Sequence, residues 1–266
     1  MNFRSVIAAP TIAALLAACG GGLETTTISA DRWMYNSATT ITVTGPNLDK
    51  GISLVAPNCS GIAEVTASAT ATQKVYTCTP VKTGAMVVTA IGGNAVLHAT
   101  TYNVPIPQVS MKTSMGDIVM ELDPTSAPVS VKNFLQYVSD SFYSNLIFHR
   151  VIPNFVIQAG GFDAAMVQAT TRAAIKLEVP NGLSNLRGTV AMARSSALDS
   201  ATSQFYINTI DNTSLDTLNG GYAVFGKVLT GLETVDAISA VPTAVASGMS
   251  DVPVTPVVIT SMVQTQ

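Results

Sequence analysis

Between residues 148 and 161 the chain reads Phe-His-Arg-Val-Ile-Pro-Asn-Phe-Val-Ile-Gln-Ala-Gly-Gly, an arginine, a histidine and a glutamine set among apolar and aromatic side chains. Arg150 is permanently charged and presents a rigid fork of donors, so in apolar surroundings it must be paired or aimed at a group that gains electron density. Strict strand alternation puts Arg150 on the face of Phe148 and Ile152, and puts Phe155 and Gln158 on opposite faces. On the residues alone, a solvated arginine at a strand edge stays open beside a functional one. His149 reads as a hydrogen-bonded core histidine rather than a catalyst. His98 and His149 are the only histidines, so no multi-histidine zinc site can form. No GxSxG marks a hydrolase nucleophile, and GxGxxG and GxxxxGK[ST] phosphate loops are absent.

The elements that would position these residues are mostly strands. Val109–Ser114 and Asp117–Leu122 flank Met115-Gly116, which predicts a hairpin turn. Pro128 suits a first helical turn, and Val131, Phe134, Leu135 and Val138 follow at i, i+3, i+4, i+7, the stripe of one amphipathic helix. Runs at 146–152, 155–159, 189–193, 204–208 and 223–228 read as buried strands, and Leu232, Val235 and Ile238 mark a second short helix. Many strands with two helices predict a closed barrel capped by helices, since closure removes exposed edges.

The run FHRVIPNFVIQAGGF resembles the signature of cyclophilin-type peptidyl-prolyl cis-trans isomerases. DIVMELDPTSAPVSVKNF from Asp117, GTVAMAR from Gly188, SATSQFYIN from Ser200 and GYAVFGKV from Gly221 resemble the same family in the same order. The likeness spans roughly Val109 to Val263 and is nearest to bacterial periplasmic members. It implies an enzyme that accelerates rotation about Xaa-Pro bonds, with no nucleophile, proton shuttle, metal or other cofactor. Such an enzyme must favour the twisted amide, whose pyramidal prolyl nitrogen gains a lone pair that a fixed donor can meet.

By that resemblance Arg150 is the catalytic arginine, Phe155 and Val156 are pocket walls, and Gln158 binds substrate backbone. Ala193 and Arg194 match the pair that cradles the residue before proline, although many members have Asn where Arg194 stands. Gln204 matches a polar support and Tyr206 the pocket floor, where Phe is usual, so an added hydroxyl needs a partner. Met192 and Leu215 are expected to complete the apolar cup, and Tyr222 falls where bacterial members have Tyr. Ser214 replaces a customary aromatic, which depletes one rim and counts against cyclosporin binding.

The first half points to the cell envelope. Residues 1–18 read as a signal peptide whose end, Leu16-Ala17-Ala18-Cys19-Gly20, looks like a lipobox, so Cys19 is the expected lipidation site and residues 19–27 a tether. An ordinary secretory signal with a chance cysteine is the alternative. Cys59 and Cys78 then remain as an even pair, a disulfide or two buried thiols. Short Thr- and Val-rich runs between turn signals over 28–103 predict a small immunoglobulin-like β-sandwich, and Val104-Pro105-Ile106-Pro107 an extended linker over 104–108 before a domain at 109–266. Mainly β architecture follows: a sandwich, then a cyclophilin-like barrel with two helices.

Thirteen Lys and Arg against sixteen Asp and Glu, with no basic cluster, exclude a phosphate-backbone partner. The expected picture is a monomer anchored to a membrane through Cys19, facing the periplasm from the outer membrane and acting on proline-containing unfolded or exported polypeptides. The alternative is a proline-segment binder or holdase that keeps the groove without turnover, and a third reading makes the sandwich a partner-binding part of an envelope assembly.

Overall fold

The computed structural model describes residues 25–266; the expected signal peptide, Cys19 and most of the tether lie outside the described residues. Seven strands come first: β1 (Thr27–Ala30), β2 (Thr39–Thr44), β3 (Ile52–Val55), β4 (Cys59–Glu64), β5 (Gln73–Pro80), β6 (Gly84–Gly92) and β7 (Ala95–Val104). They form two antiparallel sheets, ordered β1-β2-β5-β4 and β3-β6-β7, the strand order of a seven-stranded immunoglobulin constant-type sandwich. Alternation along β2 buries Thr39, Ile41 and Val43, and Ile41 lies opposite the buried Tyr76 of β5. Cys59 and Cys78 form a disulfide between β4 and β5. It fastens the edge strand β4, whose register against β5 slips between Ser60 and Ala63.

The second half contains β8 (Gln108–Thr113), β9 (Gly116–Leu122), α1 (Pro128–Ser139), β10 (Leu146–Ile152), β11 (Val156–Asp163), β12 (Thr189–Met192), β13 (Phe205–Asn208), β14 (Val224–Thr230), α2 (Leu232–Ser239), the hairpin β15 (Thr243–Ala246) and β16 (Met249–Pro253), and β17 (Ile259–Gln264). Eight of these strands make one sheet ordered β10-β11-β13-β12-β14-β9-β8-β17. Its ends meet where Ile147 bridges Val258 and the amides of Asn145 and Phe148 donate to Ile259 and Val257. A barrel results, so the strands keep one face inside and one outside. The β8–β9 turn is Ser114-Met115 rather than Met115-Gly116: Gly116, at φ 138°, already pairs with Thr113.

α1 starts at Pro128 without a capping side chain of its own. Glu178 supplies the cap from a distant loop, its carboxylate accepting the amides of Val129 and Ser130 at 2.9 and 2.8 Å and the Ser130 hydroxyl at 2.7 Å. The helix buries Val131, Phe134, Leu135 and Val138. The Phe134 ring sits 5.3, 5.4 and 5.1 Å from those of Tyr143, Phe205 and Phe225, plugging one end of the barrel. α2 packs against β9, β10 and β11. Sandwich and barrel are tied where Gln264 Nε2 donates to the Tyr35 carbonyl at 3.0 Å, and a cleft of about 490 Å³ separates Thr83 and Ile106 from Leu122, Leu183 and Val224.

Phe134→Ala leaves a cavity among three aromatic rings. The variant is expected to lose about 3–5 kcal/mol of barrel stability in urea unfolding followed by near-UV circular dichroism; a loss under 1 kcal/mol would show that α1 does not close the barrel.

Candidate active site

The β10–β11 hairpin carries the site. Ile152 pairs with Val156 across Pro153-Asn154-Phe155, with Asn154 at φ 56°. Phe148 pairs with Ala159 but Arg150 with Gln158, so two residues on β10 oppose one on β11 and His149 is surplus. This β-bulge resets the alternation. Phe148 stays inside the barrel while Arg150 emerges on the outer face with Gln158, which corrects the expectation from strict alternation that Arg150 shares the face of Phe148. Phe155 is likewise freed, because it lies in the turn rather than in β11.

The outer face of β10 to β14 forms a groove of about 230 Å³ lined by Arg150, Phe155, Val156, Gln158, Ala193, Arg194, Tyr206, Leu215, Leu218 and Tyr222. Val156, Ala191, Tyr206, Leu215 and Val224 pack as a small apolar cluster separate from the main core. Met192, expected in the cup, is not part of it. Alternation on β12 turns Met192 into the barrel interior, and its neighbour Ala191 faces the groove instead. Leu218 was also missed; it stands half exposed on the same groove that Ser214, exposed on the preceding turn, does not line.

Polar groups flank the cup in a chain. Arg150 Nη1 donates to Gln158 Oε1 at 3.5 Å, a long contact, and Gln158 Nε2 donates to Gln204 Oε1 at 2.8 Å. Gln204 therefore orients Gln158 from behind the groove. The Arg150 guanidinium lies 6.0 Å from the Phe155 ring centre and has no carboxylate partner among the described residues. His149 is buried against Phe162; burial lowers its pKa to about 4, the Arg150 charge assisting, while hydrogen bonding of the ring to Gln204 and to the Ile147 backbone opposes the shift. It is a neutral core residue at neutral pH.

Beneath the floor lies a network that no sequence pattern announced. The Tyr206 hydroxyl donates to Asn185 Oδ1 at 2.7 Å, the partner its position requires. Asn208 Nδ2 donates to the same oxygen at 3.1 Å, and Asn212 Nδ2 donates to Asn208 Oδ1 at 2.9 Å and to the Phe155 carbonyl at 2.8 Å. Asn185 is held in turn by Asp216, whose Oδ1 accepts its amide and its Nδ2, both at 2.8 Å, while Ser184 Oγ donates to Oδ2. Burial pushes the Tyr206 phenol up, so it remains a donor. Burial also acts to raise Asp216, but the hydrogen bonds from Ser184 and Asn185 outweigh it and hold the carboxyl below its ordinary 3.8.

A permanent donor beside an apolar cup, with amide groups at one side, can bind an extended chain and meet a nitrogen that gains a lone pair. The model of the family "cyclophilin type peptidyl-prolyl cis-trans isomerase" matches residues 108–264. The chain belongs to the cyclophilin-type peptidyl-prolyl cis-trans isomerases. A peptidyl-prolyl cis-trans isomerase of Acinetobacter baylyi is 53% identical over 156 residues, 58% of this chain and 83% of that protein. Peptidyl-prolyl cis-trans isomerase B of Escherichia coli is 48% identical over 159 residues, 58% of this chain and 97% of its own. The crystal structure of a Cryptosporidium parvum cyclophilin-type isomerase superposes with a TM-score of 0.51 at 27% identity, covering 60% of this chain and 98% of that one.

The sign of the Asp216 effect gives a pH test. Its folded pKa is depressed, so its stabilisation is present above the unfolded value and lost as pH falls through the folded one. The melting-temperature gap between the wild-type cyclophilin and Asp216→Asn is expected to be widest at pH 6–7 and to narrow steadily below about pH 4. A gap that does not change with pH would mean that the carboxylate charge is not what holds Asn185.

Proposed function

We propose that this isomerase accelerates Xaa-Pro exchange in unfolded and newly exported envelope proteins, with Arg150 donating to the prolyl nitrogen of the twisted amide. The observation that carries the reading is the Arg150 guanidinium, without a carboxylate partner among the described residues, on the wall of a cup made by Phe155, Val156, Tyr206 and Leu215. Resonance opposes rotation by about 18–20 kcal/mol. In the planar ground state the nitrogen lone pair is delocalised and offers Arg150 nothing; after rotation it is an acceptor, so the interaction is stronger in the transition state. The cup holds the ring, Gln158 holds the neighbouring backbone, and the preceding carbonyl swings. Phe155 and Gln158 thus share the catalytic work with Arg150, while Ala193, Arg194 and Tyr222 hold the flanking chain.

NMR exchange spectroscopy on an Xaa-Pro peptide, with the soluble form beginning at Gly20, tests the role of Arg150. Fast exchange is expected for the wild type, reduced about 10²-fold or more in Arg150→Ala. Equal rates in both would remove Arg150 from the mechanism. No acceleration by the wild type, with aggregation of an unfolded client still suppressed, would make the chain a holdase.

The envelope setting rests on the residues Leu16-Ala17-Ala18-Cys19-Gly20 and is supported by the Cys59–Cys78 disulfide, which suits an oxidising compartment. Acyl chains on Cys19 would anchor the enzyme to the outer membrane, facing the periplasm. Fractionation of cells expressing wild type and Cys19→Ala checks this: the wild type is expected in the membrane fraction and the variant in the soluble one, and a variant that stays membrane-bound would refute lipid anchoring there.

A further inference from the structure

The groove and the recess beside it, lined by Arg194, Ser195, Ser196, Asn219 and Tyr222, contain two cationic side chains and no acidic one. Arg150 is one; Arg194 is the other, and it is held differently. Its Nε donates to the Gly221 carbonyl at 3.1 Å, Nη2 to Asn219 and Gly221 at 2.7 and 2.8 Å, and Nη1 to Ser195 at 3.0 Å. The guanidinium also lies 4.5 Å from the centre of the Tyr222 ring. The loop is shaped to do this: Asn219, Gly220 and Gly221 all have positive φ, at 54°, 95° and 87°. Gly221 cannot be otherwise, since a Cβ there would lie 2.5 Å from the Asp216 carbonyl.

Four of the five N–H bonds of Arg194 are therefore spent on neutral carbonyls, and one on Nη1 is left. Carbonyl partners fix the fork without cancelling its charge. Asp216 is turned under the floor and occupied by Ser184 and Asn185, and Arg194 forms no ion pair among the described residues. A rigid, uncompensated cation between the prolyl groove and a recess of hydroxyl and amide groups has the chemistry of a carboxylate receiver, and its side-chain entropy is already lost before a ligand arrives. Resting on the isomerase reading of the groove, we propose that Arg194 makes the enzyme selective for proline segments that carry a carboxylate side chain next to the proline.

The test compares kcat/KM, by exchange spectroscopy, for isosteric peptide pairs: Ala-Glu-Pro against Ala-Gln-Pro, and Pro-Glu against Pro-Gln. At low ionic strength the wild type is expected to favour the Glu member of at least one pair by about fivefold, falling toward unity in 0.5 M salt as screening sets in. Arg194→Gln should bring the ratio to about one whatever its absolute rate, and Arg194→Lys should restore part of it. Should Arg194→Gln fail to fold, the salt dependence of the wild-type ratio decides. Ratios of one for both pairs in the wild type, a preference insensitive to salt, or one that survives in Arg194→Gln would each overturn the proposal. Failure to accelerate any peptide, the Gln members included, would instead remove the isomerase reading beneath it.

Discussion

His149 is one residue more than β10 needs, and the site depends on that surplus. A β-strand offers its side chains alternately to two faces, and in a closed barrel one face is a sealed apolar interior. Without the bulge, Arg150 would follow Phe148 inward, where an unpaired guanidinium is strongly unfavourable. With it, the strand supplies Phe148 and Val151 to the core and Arg150 to the surface within four positions. The displaced imidazole is buried and kept neutral, so the bulge moves a permanent charge outward and leaves inside only a group that can discard its charge.

The same two-sidedness explains how a barrel packed to its centre can carry a groove. Ile157, Val190, Phe205 and Ile207 fill the interior, while Val156, Ala191 and Tyr206, one residue away on the same strands, build the cup outside. The cup cannot collapse, because its floor is stiff from below. Tyr206 is fixed by Asn185, Asn185 by Asp216, and Asp216 by the turn that presents Leu215 to the groove. Asn212 ties that turn to the Phe155 carbonyl, so the two walls share one hydrogen-bonded support. A fully partnered polar network of this sort specifies a geometry that apolar contacts alone leave loose.

Much of this architecture is legible in the residues. The α1 stripe, the strands at 146–152 and 189–193 and the sandwich strands follow from periodicity, because burial of one face acts on consecutive residues. The family signature named Arg150, Phe155, Val156, Gln158 and Tyr206, and the need for an apolar cup pointed to Leu215. Periodicity itself misled at the bulge, since one inserted residue inverts every face after it. At Met192 simple alternation holds, with Val190 and Met192 inside the barrel and Ala191 on the groove. Asn185, Asn208, Asn212 and Asp216 gave no signal of their joint role: they come from a loop, a strand end and the turn at 212–216, and only the closed barrel brings the three together. Leu218 lies in a turn that no period governs.

The size of the cup bears on how the enzyme divides its interactions. A groove of about 230 Å³ accepts little more than one proline ring and adjoining backbone. Burying such a ring contributes about 1.5–3 kcal/mol, less than the estimated 4–15 kcal/mol lost in association. Ground-state binding through the cup is therefore weak, and a client can leave after each rotation. What lowers a barrier of about 18–20 kcal/mol must then come from contacts that strengthen as the amide twists. Arg150 suits that task because its one hydrogen bond among the described residues, to Gln158 at 3.5 Å, is long and readily exchanged for a better acceptor. Arg194, with four of its donors occupied at 2.7–3.1 Å, has no such freedom. Two arginines in one groove thus differ in kind: the loosely held one can follow the reaction, and the tightly held one can only discriminate among the chains that enter.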